Sequence, residues 1–280
     1  MEELRLRLGK MLETDRLKLF GDIDKEWSEY ALDYFWDESH QENRLKELQK
    51  FGFRPGSSKV LDLAAGCGQF VFHALKSGFD CYGVEPEDWK LDFIRDKAEA
   101  SGLPVDWSKR IIKGFGERLP YEDGFFDCVT SFQTLEHVQD PQKVLAEIVR
   151  VTKKGGGIHL CCPDYRSTFE AHYQLPWLPL FPRSLARIYL KFLGRPVAGL
   201  DTINYVTNGS IKRCFLRLES GSKARFQIVR NDKVIFRNAL KKRGIPPVPG
   251  LFKAWYLLQY LKKIGRQELS VNFFVRVIEK

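Results

Sequence analysis

The sequence predicts an α/β protein built on a doubly wound, mostly parallel sheet, and three observations carry that expectation. Residues 60–63 form an apolar strand end that passes through five small residues, Ala64-Ala65-Gly66-Cys67-Gly68, into an apolar helix over 70–75. Gly78 then stops the helix, and Cys81-Tyr82-Gly83-Val84-Glu85 forms a short second strand ending in an acid. Further on come a strand over 125–132, a helix over 142–151 and a strand over 158–162 halted by Pro163. Strands and helices alternating at these lengths make crossover connections between parallel strands.

A chain of 280 residues suits one large domain with embellishments, and 44% hydrophobic with 13% aromatic residues is enough for a core. That composition excludes a disordered chain. The expected division is an N-terminal helical cap over 1–55 and a main domain over 56–280. Met1-Glu2-Glu3-Leu4-Arg5 holds no apolar signal core and no apolar run is long enough to span a bilayer, so a cytoplasmic location is expected. The cysteines at 67, 81, 128, 161, 162 and 214 form no CxxC pair and sit mostly in apolar runs. Buried free thiols in a reducing compartment, with no metal, fit that pattern. The net charge of +9 is unevenly placed: residues 206–280 hold 17 Lys+Arg against 4 Asp+Glu. Such a surface suits nucleic acid or an anionic membrane, or is a solvated helix face, since the charges are interleaved with apolar residues.

In the cap, Trp27, Tyr30, Ala31 and Tyr34 recur at helical spacing, with Phe35 and Trp36 beside them. A face of this kind is expected to be core rather than a ligand box. Asn43-Arg44 opens a helix to about Phe51, and Pro55-Gly56 breaks the chain before the central strand.

The small-residue turn gives the first chemical reading. Glycine permits positive φ and close backbone approach, and the helix N-terminus offers free N–H groups to an anion. A tight turn in an ordinary α/β protein is the alternative. Glu85, 23 positions beyond Asp62, completes a half-Rossmann unit whose terminal carboxylate can accept two hydrogen bonds from a ribose. A dinucleotide fingerprint wants Gly or Ala where Val71 stands, and Asp62 is a poor neighbour for a pyrophosphate. The pattern points to a nucleoside with a cationic or zwitterionic tail.

Downstream the chain continues with Phe115-Gly116-Glu117-Arg118-Leu119-Pro120-Tyr121, Phe125-Phe126-Asp127, Leu135-Glu136-His137-Val138, Asp140-Pro141, and Arg150-Val151 before Gly155-Gly156-Gly157. In this order and spacing, and with the 62–68 turn and Glu85, residues 59–164 resemble a class I S-adenosylmethionine-dependent methyltransferase of the small-molecule type that includes the ubiquinone O-methyltransferases. The resemblance implies a seven-stranded sheet whose last strand, over 270–278, runs antiparallel. It implies S-adenosylmethionine as cofactor, with Ala64, Ala65, Gly66 and Gly68 cradling its methionine and ribose and Asp62 holding the amino-acid end. Glu85, followed by Pro86, would take the ribose hydroxyls. Phe115, Gly116 and Glu117 would flank the adenine, with Phe115 where the family usually has an acid. Phe132 and Gln133 would line the methionine tail, and Arg44 resembles an arginine that reaches the cofactor carboxylate. Ala64 stands where the family more usually has glycine and is tolerated if its φ is negative. His137 is the candidate general base for a hydroxyl acceptor; a loop-shaping role is the alternative.

Residues 165–205 are an apolar, proline-broken insertion placed where this fold builds substrate lids, and His172, Tyr173, Trp177 and Tyr205 are its candidate substrate contacts. The insertion is read as a lid over a lipophilic acceptor or as a patch on a membrane surface, with burial against the N-terminal aromatics as the third reading. A second insertion is expected at about 234–266, including an amphipathic helix over 251–264. The function expected is methyl transfer to a small or lipid-like acceptor, at oxygen. An RNA methyltransferase using the basic C-terminal third, or a cofactor-binding partner protein without catalysis, are the alternatives.

Overall fold

β1 (Lys59–Leu63) is buried on both faces and is the centre of a sheet. It pairs in parallel with β2 (Asp80–Glu85) on one side and β4 (Phe126–Phe132) on the other. β3 (Ile111–Lys113) adds to β2 and β5 (Thr152–Pro163) to β4, all parallel. β9 (Ser270–Glu279) runs antiparallel between β5 and β8 (Arg225–Arg230), giving the order β3-β2-β1-β4-β5-β9-β8. The computed structural model describes residues 1–21, 25–230 and 270–280. The expected insertion at 234–266 lies outside the described residues.

The near-continuous apolar runs of β1, β4 and β5 follow from burial on both faces, as parallel sheets require. One layer holds α7 (Pro141–Val151) and α10 (Asn208–Gly221) against Leu61, Val129, Ile158 and Val275. The opposite layer holds α3 (Glu42–Lys50), α4 (Gln69–Lys76) and α5 (Asp88–Ala100) against Val60, Cys81, Cys128 and Phe274. Proline at the first position of α7, with Asp140 accepting from the N–H groups of Gln142 and Lys143, starts that helix. α6 (Val105–Lys109) is a short link into β3.

Two helices of the N-terminal cap, α1 (Glu2–Phe20) and α2 (Lys25–Trp36), roof the turn after β1. Leu8, Phe35, Trp36 and Phe93 pack around Cys67 at the centre of that turn. Lys97, itself buried, donates to the Trp36 carbonyl at 2.6 Å and pins the end of α2 to α5. The aromatic face differs from the expected one. Ala31 is buried, but Tyr30 is 63% exposed, and Tyr34 stacks between Tyr30 and His40 rather than in a core. Packing on α1 and α5 rotates α2 so that Leu32, Phe35 and Trp36 turn inward instead. The side chain of Trp27 lies outside the described residues.

The 165–205 insertion folds as a unit with its own core. It comprises the hairpin β6 (Phe169–Glu170) and β7 (Leu175–Pro176), α8 (Arg183–Phe192) and α9 (Ala198–Asp201). Tyr165, Tyr173, Trp177, Phe181 and Leu190 pack together with Phe20 of α1. Its ends are tied: buried Asp164 accepts from Arg166 at its start and from the Asn208 N–H and side-chain amide beyond its end, the last two at 3.0 Å. The five described cysteines other than Cys161 are buried, and all six are free thiols.

Candidate active site

At the carboxyl ends of β1, β2 and β4 lies a cleft of about 450 Å³. This is where open α/β sheets place ligands, because the strand order reverses beside β1. Every residue expected from the sequence to bind a cofactor lines it except Gly68. Gly68 instead caps α4 with φ +79°, and a Cβ there would press Ile111 at 3.0 Å and Ile94 at 3.2 Å. Its glycine is required by the turn and not by a ligand.

Ala64 departs from expectation: its φ is +59°, in the left-handed region, and not negative. The turn imposes this, since the Ala65 N–H must reach the Val84 carbonyl while Gly68 bonds back to Ala65. Gln133 at the opposite wall also has positive φ, +52°. Backbone strain in two residues facing one cleft is the pattern of a functional site.

Asp62 and Arg44 form one end of the cleft. The Arg44 guanidinium donates to Asp62 Oδ1 at 2.6 Å and to Gln41 at 2.9 Å, and Thr130 donates to the same Asp62 oxygen at 2.7 Å. Its flat face lies 3.8 Å from the Phe132 ring centroid and 4.2 Å from that of Phe70. Burial pushes the Asp62 carboxyl up, and Arg44 and Thr130 oppose that push. The pair presents a fixed cation to the cleft, held in plane by two rings.

Glu85 forms the other end. It is 1% exposed, accepts from the Gly66 N–H at 2.8 Å and the Glu87 N–H at 3.2 Å, and has Lys90 Nζ at 3.6 Å. Burial raises its pKa against the pull of Lys90 and the two N–H groups. Lys90, Gln69, Gly114 and the rings of Tyr34 and Phe35 also line the cleft and were missed in the sequence. Their spacing carries no motif; only the helix α2 brings Tyr34 and Phe35 to the mouth. Gly116 stands where a Cβ would meet Val144 at 3.2 Å, and Phe115 is 56% exposed at the rim.

This chain shares its central segment with known proteins. A family model described as a methyltransferase domain matches residues 61–160. An uncharacterized methyltransferase from Mycobacterium sp. (strain JLS) is 35% identical over 118 residues, 42% of this chain and 44% of the relative. A demethylmenaquinone methyltransferase from Corynebacterium glutamicum (strain R) is 29% identical over 187 residues, 65% of this chain and 67% of the relative. A solved structure from Galdieria sulphuraria, described as a methyltransferase, superposes with a TM-score of 0.51 at 17% identity and covers 85% of each chain, a likeness of fold. Residues 61–160 thus match a methyltransferase domain. The aligned segment spans less than half the length of the Mycobacterium relative.

Glu117 lines the cleft, but its Oε1 is committed to the N–H groups of Gln139 and Asp140, at 2.9 and 3.2 Å. It thereby shapes the loop that carries His137. Asn204 clamps the same loop by bonding the carbonyls of Glu136 and Val138. His137 faces the cleft, yet its Nε2 lies 3.1 Å from His172 Nε2. Close packing, and then His172, hold its pKa down to about 4. It is a neutral, weak base. Burial alone would lower His172 as well, but the Glu170 carboxylate at 2.7 Å raises it overall. Of the other lid candidates, Tyr173 and Trp177 are buried in the lid core, and Tyr205 stacks on Tyr165 at 4.8 Å. None of the four lid candidates lines the cleft, and His172 approaches it only through its contact with His137.

Proposed function

We propose that the protein transfers a methyl group from S-adenosylmethionine to a hydroxyl oxygen of a small, lipid-like acceptor. The observation that carries this reading is the cleft with a buried carboxylate, Glu85, at one end, the Arg44–Asp62 pair at the other, and the Ala64–Gly66 turn between them. Glu85 keeps acceptor capacity for ribose hydroxyls, and Arg44 suits a carboxylate. Gly66, with φ +58°, leaves the cleft floor free of a side chain. The residues fit the cofactor. When bound it supplies an activated methyl on a sulfonium. That methyl would pass in line to the acceptor oxygen, with the electron pair left on sulfur and the acceptor proton released to solvent or to a base. What the chain contributes is alignment and exclusion of water, which supply most of the acceleration for an in-line displacement. A depressed basicity leaves His137 a minor proton acceptor.

The lipid-like class of acceptor is supported by the lid's outer face. Leu178, Leu180, Leu185, Ile188 and Phe192 are all exposed, with Phe192 at 85%, and Arg187 and Lys191 lie alongside on α8. An apolar stripe edged by cations fits an anionic membrane surface. No helix among the described residues is long and apolar enough to cross a membrane. One relative is named a demethylmenaquinone methyltransferase, which agrees with this class.

The test is thermal stabilisation by S-adenosylmethionine and its demethylated product. Wild type should shift clearly, and Glu85→Ala should not. A wild type without a shift overturns the cofactor. Labelled methyl entering a lipid extract but not RNA supports the acceptor class; the reverse favours the RNA reading.

A further inference from the structure

We propose that Glu136, His137 and His172 form a binding site for a first-row transition-metal ion, most suited to Zn²⁺, at the junction of lid and cleft. The site stands on three features. First, Glu136 is fully buried, and neither of its carboxylate oxygens has a hydrogen-bond partner. A buried carboxylate left without a donor is costly, and native structures satisfy such groups with a proton donor or an ion. Second, one ligand atom from each of the three residues lies within 4.8 Å of the others, and the two imidazole Nε2 atoms face each other at 3.1 Å. Ligand atoms bound at about 2.0–2.2 Å from a tetrahedral or octahedral ion lie roughly 3–4 Å apart, so the histidine pair already has the separation and the carboxylate needs a small swing.

Third, the surrounding groups are those that orient metal-binding histidines. Glu170, 4% exposed, holds His172 Nδ1 at 2.7 Å, so that proton is committed and Nε2 is turned toward His137. The other Glu170 oxygen is fixed by the Tyr173 N–H at 2.7 Å. The His172 ring also stacks on Phe20 at 5.2 Å, and the Thr202 backbone hydrogen bonds the His137 ring. A carboxylate behind one histidine and a backbone carbonyl behind another are the recurrent supports of metal-bound imidazoles. The facing Nε2 atoms share either one proton or a cation at this distance, and a divalent ion would satisfy both of them and the Glu136 carboxylate together. Two imidazoles and one carboxylate select a borderline ion over calcium or magnesium.

His137 lines the cleft, so the open side of the ion faces it. If methyl transfer occurs as proposed, that side is available to an acceptor oxygen; this consequence rests on the proposed function, whereas the metal site does not. The experiment is titration of tag-free, chelator-treated protein with Co²⁺, followed by visible absorption, and with Zn²⁺ in competition. The expected result is one equivalent of cobalt with ligand-field bands, displaced by zinc. Affinity should fall at least tenfold in His172→Asn and in Glu136→Gln, and 10–100-fold in Glu170→Gln, which touches no metal. Circular dichroism melts show that each variant is folded, and the cofactor shift measured separately keeps the two proposals apart. No stoichiometric cobalt in the wild type, or undiminished binding in folded His172→Asn and Glu136→Gln, overturns the site.

Discussion

Ala64 is the residue at which local chemistry and tertiary demand conflict most directly. A β-carbon in the left-handed region costs about 1–2 kcal/mol, part of which glycine would give back through its freer unfolded chain. Ala64→Gly is therefore expected to raise stability by about 1 kcal/mol, read by urea denaturation, with the cofactor shift retained. A loss of stability would mean that the alanine methyl packs better than its φ suggests. Glu147 supports a pH prediction. Hydrogen bonds from Arg150 at 2.7 Å and from the Leu119 N–H at 2.7 Å hold its folded pKa below the unfolded value. Its contribution is thus present above the unfolded pKa and is lost as pH falls through the folded one. Glu147→Gln should flatten the acid limb of the stability–pH curve below about pH 4.5 and change little at its neutral-side plateau slope. An unchanged acid limb would remove this carboxylate from the acid response.

At the scale of elements, the lid and the N-terminal cap form one roof. A Cβ at Gly199 in α9 would sit 2.5 Å from the Leu19 carbonyl oxygen and 2.5 Å from the Phe20 ring. Gly199→Val must separate α9 from α1 and should destabilise by about 1–3 kcal/mol. Hydrogen exchange should rise in α8 and at the C-terminal end of α1 and stay level in α5; a uniform rise would show that the roof is not a separate unit. The elements of the central fold were legible in the sequence because each carries its own period and its own stop signal, as with Asp140-Pro141 before α7. The rotation of α2 was not, because Trp27, Tyr30 and Tyr34 satisfy helical spacing as well as Leu32 and Phe35 do. Which stripe turns inward is decided by α1 and α5, partners that no local pattern names. Tyr173 and Trp177 illustrate the same limit, since an apolar lid residue reads alike whether it meets substrate or its own core.

For the molecule as a whole, the exposed stripe on α8 predicts a surface behaviour. Wild type should sediment with vesicles containing anionic lipid at low salt and less at high salt, where the Debye length shortens. Ile188→Ser with Phe192→Ser should abolish sedimentation while leaving the cofactor shift intact; equal binding by the double variant would place any lipid contact elsewhere. The sequence by itself determined the doubly wound sheet, the turn after β1 and twelve of the residues that line the cleft, because these depend on neighbours in the chain: small residues where the backbone bends, an acid where a strand ends. Only the tertiary structure decided that Ala64 is left-handed, that Arg44 is held by Asp62 between two rings, and that His137 meets His172 with Glu136 buried beside them. Those outcomes join residues 18 to 88 positions apart. Packing of separate elements sets their distance, burial and charge, and a local pattern holds no record of any of the three.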